Sequence, residues 1–435
     1  MMARARGALV GAAALLLAAC LPEGSQLPQS PLLSALEPKA GRIAVVGTDR
    51  NVYTIDQAGG DRISITDDAD GSSDAAVMYR TPSWSPASDR LVVLRHSFEG
   101  GRLAASSVVV AEADGSGRTT LFESESDHPI YQSWSPNGEL LTLLTSRSSE
   151  SRFRIWNVPS AGGEPHLVDV GQPAYWAWAP GGEGLLAHLD GSAQQNPGQA
   201  RISLLLFGPK VTEQRLDVEP FLFQAPSFSP AGDLALIAGY DETGDPSLLL
   251  TTPLGEDVAR LVPLESPTAF GWSPGGRYAA YVSAEPGLST LIGRLHLLDL
   301  ADPQNPVTVE TDDSLVVAFD WAPDGDRILS YAPLVGDPGA GSQDPTLLLR
   351  LQVTDSGSGE TRRLGTFRPT DDFADLLPFF DQYAQSATAW SPDGRNIVFT
   401  SETESGAQGV YVLAASGTIQ PRAIGEGVYA VWSWR

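Results

Sequence analysis

One short motif returns along the body of this chain and restricts it to a narrow set of folds. It reads aromatic, Ser or Ala, Pro, one small or polar residue, then Gly. It stands at Trp84-Ser85-Pro86, Trp134-Ser135-Pro136-Asn137-Gly138, Trp178-Ala179-Pro180-Gly181-Gly182 and Phe228-Ser229-Pro230-Ala231-Gly232. It continues at Trp272-Ser273-Pro274-Gly275-Gly276, Trp321-Ala322-Pro323-Asp324-Gly325 and Trp390-Ser391-Pro392-Asp393-Gly394, with a truncated copy at Trp432-Ser433-Trp434. Successive copies are 50, 44, 50, 44, 49, 69 and 42 residues apart. Periods of this size mean a propeller or a linear array of repeats.

The motif has a physical reading as a hairpin turn. Proline presets φ at the second turn position, and the closing glycine takes positive φ without a Cβ clash. The first copy has Ser88 where the others have glycine, so a looser turn is expected there. Apolar strands follow each turn, as at Leu91–Leu94, Leu140–Leu144, Leu234–Ala238, Tyr278–Val282 and Ile397–Phe399. A second run comes after each, as at Phe153–Trp156, Leu295–Leu298 and Val410–Leu413. Four strands per unit of this length make a propeller blade.

The residue before each motif aromatic is Ser83, Ser133, Ala177, Ser227, Gly271, Asp320, Ala389 or Val431, small or Val at all but Asp320. Inner strands crowd a central channel, so small residues are expected there. Seven of the ten tryptophans sit at the motif position and read as packing between blades. Gly41–Gly47, Val52–Asp56 and Arg62–Thr66 look like a blade that lacks its first strand, and Val428–Trp434 like a first strand with nothing after it. Pairing the two would remove both exposed edges. The expected fold is all-β: a single propeller of about eight four-stranded blades over 41–435, closed by the C-terminal strand completing the N-terminal blade. A count of seven would need one degenerate copy, for which there is no obvious candidate.

The Trp-Ser-Pro-Asp-Gly hairpin with its following apolar strand resembles the repeat of TolB-like β-propellers, which also occurs in the propeller domains of prolyl-oligopeptidase-type enzymes. The resemblance covers residues 41 to 435 and implies fold rather than function, since such propellers serve as binding proteins and as enzyme domains. No Gly-x-Ser-x-Gly nucleophile elbow accompanies it.

The N-terminus reads as an address. Arg4 and Arg6 precede an uncharged run from Gly7 to Ala19, too short to span a bilayer comfortably and of signal-peptide length. It ends Leu17-Ala18-Ala19-Cys20, similar to a bacterial lipobox, and Cys20 is the only cysteine of the chain. That similarity implies cleavage before Cys20, its lipidation, and stable anchoring by two or more acyl chains. Residues 1–19 are then a signal peptide, and 20–40, with Pro22, Pro28, Pro31 and Pro38, a tether. The body is expected to be exported, held at the cell membrane or the outer membrane, and exposed to periplasm or exterior. With a single cysteine there is no internal disulfide, so packing alone must stabilise it.

The formal net charge of -25 opposes nucleic-acid binding, where cationic side chains must neutralise phosphates. The acidic stretch Asp67–Asp74 does not fit a calcium-loop register. His96, His128, His166, His188 and His296 fall in different blades at unlike positions, which speaks against a histidine metal site. No catalytic residue, metal or cofactor is expected, and the body is expected to be monomeric.

The longest spacing, between Trp321 and Trp390, holds two expansions, Pro333–Asp344 and Phe367–Ser386. The second joins an outer strand to the next inner strand, which places it at the channel mouth. Thr370 or Asp371 is expected to cap a short helix there and Pro378 to start another turn. Phe373, Leu376, Leu377, Phe379, Phe380 and Tyr383 are dense for a surface loop. Two readings fit: a lid that satisfies itself over the channel, or an aromatic docking patch for a protein or peptide partner. The candidate contact set is Phe373, Leu376, Phe379, Phe380, Asp381 and Tyr383, with Tyr131 and Tyr175 from neighbouring loops. A carbohydrate ligand or carbohydrate chemistry in the channel is the alternative from another class.

Overall fold

A computed structural model of the chain describes residues 39–70, 76–286, 288, 290–336 and 346–435. The expected signal peptide, Cys20, nearly all of the tether, most of Pro333–Asp344 and the end of the Asp67–Asp74 stretch lie outside the described residues.

Eight antiparallel sheets form the blades of one propeller. Blade 2 runs Val77–Trp84, Arg90–Glu99, Arg102–Glu112 and Thr119–Ser124 from the inside outward. Blades 3 to 7 repeat that order, with inner strands His128–Trp134, Ala174–Trp178, Ser227–Phe228, Thr268–Trp272 and Ala318–Trp321. In blade 8 the inner strand is reduced to a bridge between Trp390 and Ile397 beside three full strands. Blade 1 has Ile43–Val46, Val52–Ile55 and Ile63–Ser64, and its inner strand is Tyr429–Trp432 from the far end of the chain. Ala44 lies opposite Val431 and Val45 opposite Ala430. The expected closure is therefore present.

The turns work as their sequence requires. Gly138 has φ 73° and Gly325 φ 73°, the left-handed region where a side chain is strained. Ser88 takes φ 61° as well, and its N–H reaches the Ser85 carbonyl at 2.8 Å, the same distance as Gly138 to Ser135. The looser turn expected there is absent. The strain of a left-handed serine is accepted because the flanking ladder fixes the hairpin, and the Ser88 hydroxyl takes a bond from the Arg435 N–H at 3.0 Å.

The motif tryptophans pack between blades. Trp84, Trp390 and Trp432 are at most 1% exposed, and burying such a ring contributes roughly 5 kcal/mol before entropy costs. The indole N–H of Trp134 donates to the Ser83 carbonyl of the preceding blade at 3.2 Å, and that of Trp390 to the Asp320 carbonyl at 3.1 Å. Small pre-motif residues such as Ser83 and Ser133 are buried at the inner wall, which lets eight inner strands approach one axis.

Candidate functional site

The expansion after blade 7 plugs one mouth of the channel. Thr361–Phe367 ends that blade, and the chain then forms α1 (Asp371–Ala374), a 3-10 turn (Leu377–Phe379) and α2 (Phe380–Tyr383) before entering blade 8. Thr370 stands at the N-cap of α1 but makes no capping bond; its hydroxyl goes to the Val428 carbonyl at 2.5 Å and to Thr400 at 2.9 Å. Pro378 sits in the first turn of the 3-10 segment, as expected.

Polar side chains of the plug are spent on inner strands. The Gln382 amide accepts from the Trp176 N–H at 2.8 Å and donates to the Trp176 carbonyl at 3.1 Å. Gln385 accepts from the Trp178 N–H at 3.0 Å and donates to the Trp176 carbonyl at 2.6 Å. Asp381 accepts from the Ala225 N–H at 3.0 Å, and the Ser83 hydroxyl donates to the Ser386 carbonyl at 2.7 Å. Asp372 meets Arg50 at 2.7 Å and lies 3.9 Å from Arg80. With the packing of α2 against the inner strand of blade 6 and of Phe380 on Phe319 of blade 7, the plug touches every blade.

Most of the aromatic residues expected at a docking patch point inward. Phe373 packs on Tyr331 and Phe367, with centroids 5.5 and 6.0 Å away. Tyr383 lies edge-on to Tyr131 at 4.8 Å. The Tyr131 hydroxyl donates to the Gln382 carbonyl at 2.8 Å, and burial pushes it up to about 12. Tyr175 faces Phe223 at 4.5 Å, and burial raises its hydroxyl too. Leu376 is half-buried against the inner-strand core. Phe379 differs: it is 45% exposed, next to exposed Pro378. Ile130, whose carbonyl accepts from the Tyr383 hydroxyl, is 40% exposed.

Acids and histidines of blades 1 to 3 have local partners. Asp127 is held by Arg147 and Arg154, and Asp68 takes the Tyr79 hydroxyl at 2.7 Å. His96 and His128 are not scattered as their positions suggested. Both imidazoles meet the Ser106 hydroxyl, at 2.8 and 3.0 Å. Burial, with help from Arg80 and His128, lowers His96 to about 4. Among the described residues no three His, Cys, Asp or Glu side chains are grouped to hold a metal ion.

The opposite mouth, ringed by the Pro-containing turns, leads into a cavity of about 450 Å³ that ends on the plug residues Phe380, Asp381, Ala384 and Gln385. Its walls are aromatic: Trp272, Trp321, Trp390, Trp434 and Phe319. Two carboxylates line it, Asp320 and Asp381. Asp320 was the exception among the pre-motif residues, and that departure was the sequence signal for a channel-facing charge. Its Oδ2 accepts from the Ala389 N–H at 2.9 Å and the Thr388 hydroxyl at 3.1 Å. Burial outweighs both bonds and pushes Asp320 up to about 6. Burial raises Asp381 as well, against two backbone N–H bonds.

No family model matches the chain, and no curated protein does. Solved structures do. A prolyl endopeptidase is 12% identical with a TM-score of 0.53, over 81% of this chain and 49% of that one. The dihydro-heme d1 dehydrogenase NirN is 16% identical with a TM-score of 0.52, over 96% of this chain and 78% of that one. TolB from Acinetobacter baumannii is 14% identical with a TM-score of 0.40, over 90% of this chain and 66% of that one. The chain thus spans about half of the endopeptidase chain and just under two thirds of the TolB chain. At these identities the likeness concerns fold. Its closed ring of eight blades makes the chain an eight-bladed β-propeller, and its turn repeat resembles that of TolB-like propellers.

Proposed function

We propose that this chain is a non-catalytic, lipid-anchored propeller of the bacterial cell envelope that binds a protein or peptide partner at its plugged mouth. The observation that carries the reading is the contrast at residue 379. Phe373, Phe380 and Tyr383 are locked into the ring, whereas Phe379 projects with 45% of its surface exposed. An aromatic side chain on a backbone already held by every blade loses little freedom on binding, which favours affinity. Leu376, Asp381, Tyr131 and Tyr175 then act as the frame of the contact, and Phe379 with Ile130 as its apolar surface.

Anchoring rests on the Leu17-Ala18-Ala19-Cys20 sequence. Among the described residues no helix is long and apolar enough to cross a membrane. A pull-down from the native host, wild type against Phe379→Ser, tests the partner reading. A discrete partner lost from the variant is the expected outcome; an unchanged set of captured proteins contradicts it. Deleting 370–383 is a poorer test, because Phe373 and Gln382 belong to the packed ring.

A second reading places a sugar in the channel. The aromatic walls of the cavity behind the turn mouth favour it. A glycan-array signal competed by free sugar would support it over a protein partner.

A further inference from the structure

The cavity behind the turn mouth has a charge pattern that the rest of the molecule avoids. Buried carboxylates are normally paired, and this chain pairs them. Asp127 is held by Arg147 and Arg154, and Asp190 by Arg152 and Arg201. The cavity holds Asp320 and Asp381 with no Arg or Lys in its lining. Among the described residues no donor meets Oδ1 of Asp320, and its two bonds converge on Oδ2.

Structure alone does not require an acid at 320. An asparagine oxygen there would accept from both the Ala389 N–H and the Thr388 hydroxyl without carrying a charge. The other pre-motif residues manage with Ser, Ala, Gly or Val. Holding two carboxylates in an apolar chamber costs stability, which such sites repay through function.

The wall chemistry says what would meet them. Indole and phenyl faces attract a desolvated cation through their quadrupoles, and four indoles line this chamber. The inter-blade indole bond is also missing in this sector. Trp134 and Trp390 donate to the preceding blade, but the buried N–H groups of Trp272 and Trp321 find no acceptor among the described residues, a condition shared by Trp84 in the adjoining lobe. These N–H groups are shut off from solvent, so the chamber's binding chemistry rests on its carboxylates and ring faces. The exposed Pro274 and Pro323 at the rim leave the chamber open to the turn face.

We propose that this chamber binds an organic cation, an ammonium or guanidinium on a short apolar stem, with Asp320 and Asp381 as its counter-charges and the tryptophans as its walls. The site opens at the opposite mouth from the partner surface and shares with it the plug residue Asp381. A free amine and the basic side chain of a peptide share this chemistry.

The test is a titration of the full-length chain at about pH 8, above the value of about 6 to which burial raises Asp320, followed by tryptophan fluorescence. The probes are butylguanidinium, N-acetyl-arginine-N-methylamide, and the neutral controls n-pentanol and methyl glucoside. Saturable binding of a cationic probe, weakened at least about tenfold in Asp320→Asn/Asp381→Asn, is the expected result. Tighter binding of butylguanidinium identifies a free cation as the ligand, and tighter binding of the arginine amide a peptide side chain. The double variant must unfold at or above the wild-type temperature, so that lost binding is not lost fold; if it does not, Asp320→Asn alone decides by the same criterion. No saturable binding of either cation below about 10 mM, equal binding of a neutral control, or undiminished binding by the deciding variant overturns the proposal.

Discussion

Gln382 reads the backbone of Trp176 as a neighbouring strand would: its amide oxygen takes the Trp176 N–H at 2.8 Å and its amide nitrogen gives to the Trp176 carbonyl at 3.1 Å. A loop side chain thereby completes the inner edge of a blade that lies 206 residues away in sequence. Replacing it removes the Gln382 acceptor from the Trp176 N–H while Gln385 still serves the carbonyl. Gln382→Ala is expected to lower stability by about 1 to 3 kcal/mol, the cost of an orphaned buried donor. Urea unfolding checks the magnitude, and faster amide exchange confined to 370–386 and blade 4 checks the cause.

Ring closure puts structural weight on the last strand. Tyr429–Trp432 supplies the inner strand of blade 1, and Trp432 is 1% exposed. Trp432→Ala is expected to cost about 3 to 5 kcal/mol. Removing 429–435 altogether bares the edge of Ile43–Val46, and the truncated chain is expected to self-associate. Size-exclusion chromatography of the truncated protein reads this directly; a stable monomer would show that the closure is dispensable.

The Asp320 carboxyl gives stability an unusual pH dependence. Burial raises it from 3.8 to about 6, so between those values the folded state holds a proton that the unfolded state has released. Its contribution is therefore present at low pH and lost as pH rises through about 6. Tyr331 and Tyr429, both raised by burial, face it and stay neutral throughout this window. Asp320→Asn keeps the acceptor for Ala389 and Thr388 and removes the ionisation. Relative to wild type the variant is expected to gain up to about 3 kcal/mol between about pH 4 and pH 8. Chemical unfolding at both pH values measures this, and a gap that stays flat or narrows goes against it.

Membrane attachment is a separate matter with a separate test. Cys20→Ala is expected to move the protein from the membrane to the soluble fraction without altering its unfolding transition. Retention of the variant in membranes would remove the lipid anchor from the proposal.

Much of the fold was legible because each blade repeats one local rule. Proline and glycine fix the hairpin, and the preceding aromatic fills the gap to the next blade, so short-range chemistry and long-range packing agree. Closure was legible for the same reason, from a blade missing a strand and a strand missing a blade. The plug was legible as a departure from the period and as a run of aromatics, but its direction was not. Whether Phe373 or Phe379 faces outward depends on which inner-strand carbonyls and N–H groups are left for Gln382, Gln385 and Asp381 to take, and that information is spread over blades 4 and 5. Asp320 was visible as an exception among small residues. Its meaning appeared only when Asp381, from a different segment, entered the same cavity. The meeting of His96 and His128 on Ser106 was hidden in the same way, since it joins two blades through a third side chain.

The most direct test of the central claim is site-specific photo-crosslinking from the two mouths of the channel in membranes of the native host. One probe replaces Phe379 on the plug and the other replaces Pro323 on the turn rim. A single saturable adduct from position 379, competed by excess wild-type propeller and absent from position 323, is the expected result. Adducts at neither position, or the same adducts from both, would contradict a partner-binding surface on the plugged mouth.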